Sequence, residues 1–133
     1  MKINFFIASI IFFSLLFSCK KNNNDRFIFF LHNRFIETHE LNVLHPQFGR
    51  TEYQEIIAEF EKNKFHVISE KRNGNVNARD YALTVINQID SLIINGIQPQ
   101  NITVVGTSKG GYIAQYVSTL ANNPELNLSL IHI

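Results

Sequence analysis

The apolar positions of this chain alternate between two rhythms. Residues 26–31, RFIFFL, are apolar almost without a break. Such a run suits a strand covered on both faces, as in a parallel sheet. His32, Asn33 and Arg34 interrupt it, and the stretch that follows, with His39, His45 and Pro46, reads as a polar loop. From Thr51 to Asn63 the period changes. Tyr53, Ile56, Ile57 and Phe60 recur at the i, i+3, i+4, i+7 spacing of one buried helix face. Thr51 and Gln54 have the spacing of a capping box. Glu52 and Glu55 favour the positive helix start, and Asn63 is the expected left-handed stop. Residues 65–69, FHVIS, predict a second strand, and Glu70 to Asn77 a loop. Residues 78–95 predict a second helix with Ala82, Val85, Ile86, Ile89, Leu92 and Ile93 as its stripe and Gly96 at its end. Residues 101–105, NITVV, predict a third strand. A third helix runs from Ser108 to about Asn122, with Ile113, Tyr116, Val117 and Leu120 inward and Pro124 just beyond.

Strand and helix thus alternate three times. That order predicts an α/β fold, a three-layer sandwich with a mostly parallel sheet and right-handed crossovers. Chemistry in such sheets gathers at the carboxyl ends of the strands. The polar segments there are His32-Asn33-Arg34, Glu70-Lys71-Arg72 and Gly106-Thr107-Ser108-Lys109-Gly110.

Ahead of the fold lies a different pattern. Lys2 precedes thirteen apolar-rich residues, FFIASIIFFSLLF at 5–17. That length is short for a membrane span and right for the core of a signal peptide. Leu16-Phe17-Ser18-Cys19 then resembles a bacterial lipoprotein signal, with leucine at −3 and a small residue before cysteine. The resemblance implies that residues 1–18 are cleaved and Cys19 is lipidated. The alternative is an ordinary signal peptide followed by a chance cysteine. Cys19 is the only cysteine, so no intramolecular disulfide forms, and residues 19–25 read as a polar tether.

Charge adds an exclusion. The 133 residues carry 12 basic and 11 acidic side chains and a formal charge of +1, and 45% of them are hydrophobic. There is no broad basic field, so nucleic-acid binding has little support. Neither a phosphate-binding G-x-x-x-x-G-K-[ST] loop nor a dinucleotide G-x-G-x-x-G occurs, and no cofactor is expected. His39, His45 and His66 lack metal-ligand spacing. Arg34, Lys71 and Arg72 read as solvated loop charges, and Glu37 and Glu40 as loop carboxylates.

The chemistry concentrates in residues 104–115, VVGTSKGGYIAQ. Gly106-Thr107-Ser108-Lys109-Gly110 fits G-x-S-x-G, the nucleophile elbow. A serine on a tight strand-to-helix turn lifts its hydroxyl out of the sheet. Flanking glycines relieve the crowding, and Gly111 is expected to extend the room toward the neighbouring strand. The helix that follows aims its first amides at the reacting oxygen. The alternative is a turn serine with no chemistry.

With this context, the chain from about Arg26 to Pro124 resembles the α/β-hydrolase superfamily, and within it the small lipoprotein-type members. The resemblance implies that Ser108 is a nucleophile. It implies oxyanion donors at the Lys109 amide and at an amide of Asn33 or Arg34. Asn33 stands where the family has glycine and tolerates left-handed backbone better than most residues. The family order places the histidine base downstream of Ser108, so His32 is expected to order the oxyanion loop by hydrogen bonding rather than act as base. After Ser108 only Glu125 and His132 have the residue types of the missing partners, and Glu125 comes too early.

Residues 128–133, LSLIHI, read as an apolar strand. They are also what a DNA string resembling the terminal repeat of transposon-based sequencing libraries would encode. On that match, 26–127 is the N-terminal part of the hydrolase domain and 128–133 an adapter-encoded tail. The alternative is a genuine strand. A tail of this kind can pair along the open edge of the third strand, and the 133-residue chain is expected to be marginally stable and inactive.

Three functions follow from the sequence. The first is an exported, membrane-anchored serine hydrolase acting on a small ester-like substrate. The second is a non-catalytic binding lipoprotein with a hydrolase-like fold. The third is an anion-binding module using the loop cations. Substrate, membrane leaflet and oligomeric state are not legible in the sequence.

Overall fold

Four strands run parallel in one sheet of the computed structural model, which describes residues 24–131. The expected signal peptide 1–18, the lipidation candidate Cys19, the expected tether as far as Asn23, and His132 and Ile133 lie outside the described residues. Strands β1 (Arg26–Leu31), β4 (Phe65–Ile68), β5 (Ile102–Thr107) and β6 (Asn127–Ile131) lie in the order β4-β1-β5-β6. Helices α2 (Tyr53–Lys62), α3 (Ala78–Ile94) and α4 (Lys109–Ala121) make the crossovers. The expected α/β layout is therefore present.

The period-two alternation of the strands sorts the core into two layers. Phe29, Leu31, Ile102 and Val104 face α3 and α4, where they meet Ala82, Val85, Ile89, Ile113 and Val117. Ile28, Phe30 and Val105 face the other way, toward Tyr53, Ile56, Ile57 and Phe60 of α2. The three helical stripes read from the sequence lie on the core layers, apart from Leu120, which belongs to neither.

Element ends differ from expectation in instructive ways. Helix α2 begins at Tyr53 after Glu52, with no side-chain cap, because the Thr51 hydroxyl donates instead to Leu41 O at 3.0 Å. The expected capping box does not form. Asn63 ends the helix at φ −84°, and the left-handed residue is Lys64 at φ 63°. Helix α3 has a good cap: Asn77 Oδ1 accepts from the amides of Arg79 and Asp80 at 2.9 and 3.1 Å. The stretch read as one polar loop holds a five-residue helix, α1 (Arg34–Thr38), and a small hairpin of β2 (Leu44–His45) and β3 (Gly49–Arg50). Strand β6 pairs with β5 from Asn127 to Ile131, and all five of its residues are exposed.

Candidate active site

The strand order sets the place of the site. From β1 the chain crosses through α2 to β4 on one side. From β5 it crosses through α4 to β6 on the other. The carboxyl ends of β1 and β5 therefore flank a topological switch point, where open α/β sheets bind ligands. Leu31 lies beside Gly106 in the register, so the segments after β1 and β5 leave the sheet side by side. A cleft of about 740 Å³ opens there, lined by His32, Asn33 and Arg34 from one segment and by Thr107 and Ser108 from the other.

Ser108 stands between β5 and α4 with φ 50° and ψ −117°. A non-glycine residue in such a sparse region carries on the order of 1–3 kcal/mol of strain, held in place by its surroundings. The surroundings are backbone. A Cβ on Gly106 would lie 2.5 Å from Gly111 N and overlap the Gly110 carbonyl. A Cβ on Gly110 would lie 2.5 Å from Leu31 C and 2.7 Å from His32 O. Gly110, not Gly111, thus lets the turn approach the neighbouring strand. Gly111 faces Gly106, with 3.2 Å from its would-be Cβ to Gly106 O. The close approach to the neighbouring strand expected of Gly111 thus falls to Gly110.

Ser108 is exposed, and its hydroxyl has no hydrogen-bond partner among the described residues. The amides of Lys109, Gly110 and Gly111 open α4 and have no acceptor within the helix. On the facing segment Asn33 caps α1, and its Oδ1 accepts from Ile36 N at 3.2 Å. Asn33 has φ −72°, so the left-handed backbone that Asn was expected to tolerate is not used. The Arg34 amide opens α1, and its side chain is exposed at the cleft.

His32 is wholly buried, and both ring nitrogens are engaged. Nε2 lies 2.8 Å from Arg72 N and must accept from that amide. Nδ1 therefore carries the proton and donates to Asn33 O at 2.8 Å. Burial first, then the Arg72 charge, lowers its pKa to about 4. It is a neutral tie between the segment after β1 and the loop after β4, and has no free nitrogen for Ser108.

Beneath the cleft lies a buried charge cluster that the sequence reading missed. Arg72, expected in solvent, and Glu37, read as a loop carboxylate, are each 3% exposed. Glu37 Oε1 accepts from Arg72 Nε at 2.7 Å, and Oε2 accepts from Lys109 Nζ at 2.6 Å. Arg72 Nη2 also donates to His32 O, and Lys109 Nζ to Asn75 Oδ1 at 3.1 Å. Burial alone would raise the Glu37 pKa, but the Lys109 and Arg72 hydrogen bonds and charges outweigh it and hold the pKa low. The correction has a physical reason: α1 turns Glu37 inward, and the loop after β4 folds back over it, with Gly74 N donating to Glu37 O at 3.1 Å. One local sign was present, an Asn33 cap with an acid in the first turn after it.

The other charges stay outside. Lys71 reaches Glu40 at 3.3 Å, an exposed pair. His39 stacks on Phe35 at 4.1 Å between centroids, and His45 packs between Phe35 and Phe48 at 4.8 and 4.7 Å. His66 stacks on Phe27 and lies 3.6 Å from Asp25. Among the described residues no three His, Cys, Asp or Glu side chains converge as a metal site. Among them, too, no helix is long and apolar enough to cross a membrane.

Comparison with known proteins finds no matching family model, no matching curated protein and no matching solved structure.

Proposed function

We propose that this protein is an exported, lipid-anchored serine hydrolase that cleaves a carboxylic ester through an acyl-enzyme on Ser108. One observation carries the reading: Ser108 is the exposed residue of a strained strand-to-helix turn that only glycines at 106 and 110 permit, and it faces the end of the adjacent strand. Backbone strain of this kind clusters at active sites and ligand clamps.

In the proposed reaction Ser108 Oγ attacks the substrate carbonyl carbon and gives its proton to a base. The carbonyl π electrons move onto oxygen, where the Lys109 amide and an amide of Asn33 or Arg34 donate to it. Collapse expels the alcohol, which takes the proton back, and water then releases the acid by the same steps. Each oxyanion donor contributes about 3 kcal/mol to such a barrier. The base is a histidine other than His32, whose two nitrogens are both occupied.

A fluorophosphonate probe applied to the full-length gene product tests the reading. Labelling that Ser108→Ala abolishes is the expected result. Absence of labelling in an intact, folded chain favours the second reading, a non-catalytic binding lipoprotein. That alternative draws on the unpartnered Ser108 hydroxyl among the described residues.

A further inference from the structure

The Glu37 side chain has no solvent exposure and no part in the proposed reaction, yet both of its oxygens are committed. Oε2 takes Lys109 Nζ at 2.6 Å, and Lys109 is the first residue of α4. Oε1 takes Arg72 Nε at 2.7 Å, and Arg72 in turn holds His32 through its backbone amide and its Nη2. His32 holds Asn33 O. One carboxylate thus connects the loops that follow β1, β4 and β5. Stability alone is a weak explanation, because replacing a buried ion network with apolar groups is often neutral or favourable. What the network does constrain is separation. The Lys109 amide and the Asn33 and Arg34 amides lie on different segments, and Glu37 joins those segments from below.

We propose that Glu37 is the positioning residue of the oxyanion site, clamping the start of α4 to the segment after β1 so that amides from the two keep one fixed separation. Its chemical role rests on the serine-hydrolase reading; the mechanical coupling of the two segments does not. Donors must lie 2.7–3.1 Å from the developing oxyanion to act. A clamp that touches no substrate therefore affects the barrier and leaves binding alone.

The test uses Glu37→Gln in the full-length gene product, which keeps the shape and removes the charge. Backbone amide exchange is followed in residues 33–36 and 108–111, with 82–89 in α3 as an internal reference. Exchange about tenfold faster in both terminal segments and unchanged in α3 is the expected result. Fluorophosphonate labelling of Ser108 and kcat on a p-nitrophenyl ester should both fall about tenfold to a hundredfold, with KM within about twofold. Adding Lys109→Met to Glu37→Gln should lower the labelling rate by less than the product of the single effects. Faster exchange in one segment only, or equally throughout, overturns the clamp, as does unaltered labelling in a reactive protein. Should Glu37→Gln not fold, Glu37→Asp, which keeps the charge and shortens the reach, serves for the same comparison. A wild-type chain that neither labels nor hydrolyses overturns the hydrolase reading and the oxyanion role with it. The exchange pattern then decides the coupling by itself.

Discussion

Ser108 holds φ 50° on a turn whose flanking Gly106 and Gly110 pack directly against backbone, and the two glycines after it differ in what they permit. Gly110→Ala drives a Cβ into the main chain of β1, where no flexible side chain can yield. A loss of about 3 kcal/mol or more in urea unfolding is expected. Gly111→Ala meets a 3.2 Å contact and gains helix propensity of about 1 kcal/mol, so it should be nearly neutral. Equal losses for the two would show that close approach to β1 is not the constraint. His32 sets a different prediction. In the unfolded chain it titrates near 6.5, and in the folded chain near 4. Between those values the unfolded state binds the extra proton, so stability falls as pH drops from about 6.5 to about 4, by on the order of 2–3 kcal/mol for this group. Glu37, with its pKa held low, acts in the same direction at lower pH. Its contribution is full above the ordinary carboxylate range and is lost as pH falls through the depressed value. Thermal unfolding between pH 7.5 and 4.5 measures this, and His32→Gln should flatten the upper part of the profile.

At the scale of elements, the helix ends explain which local signals hold. Asn77 has the geometry its residue type favours, with its side chain on two free amides of α3. Asn77→Ala should cost about 1 kcal/mol, read from the urea midpoint. Thr51 has an equally good residue type and spacing, but its hydroxyl goes to Leu41 across the loop, a partner ten residues away. After α2 the left-handed position is Lys64 rather than Asn63, whose side-chain amide donates to Glu59 O at 2.7 Å. An L side chain there is strained by roughly 1–2 kcal/mol, part of which the unfolded chain offsets. Lys64→Gly should therefore stabilise by about 0.5–1 kcal/mol in the same assay. Strand β6 pairs through its backbone along β5 while Leu128, Leu130 and Ile131 stay 36–49% exposed. Its pairing is legible from its apolar run; its lack of cover is a matter of what packs beside it.

For the whole molecule, the switch point between β1 and β5 brings together a strained serine, two sets of free helix amides and a cleft, above a cluster with two cations and one anion. The proposed anchor enters at Arg26, the amino end of β1, and the cleft opens at its carboxyl end. Cys19→Ser should move the protein from the membrane fraction to the soluble fraction without changing its reactivity toward the fluorophosphonate probe. Retention in the membrane would remove the lipidation proposal.

The chain by itself determined the strand and helix sequence, the inward stripes of the three long helices and the glycine-flanked serine turn. These are local periodicities and spacings, and each depends on residues a few positions apart. The short helix at Arg34, the hairpin beside it and the burial of Glu37 and Arg72 came only from tertiary structure. Charged residues in a polar stretch look solvated until loops 35 and 72 residues distant in sequence close over them. A buried ion cluster exists only where its partners meet, and these meet because a parallel sheet gathers the ends of separate strands at one edge.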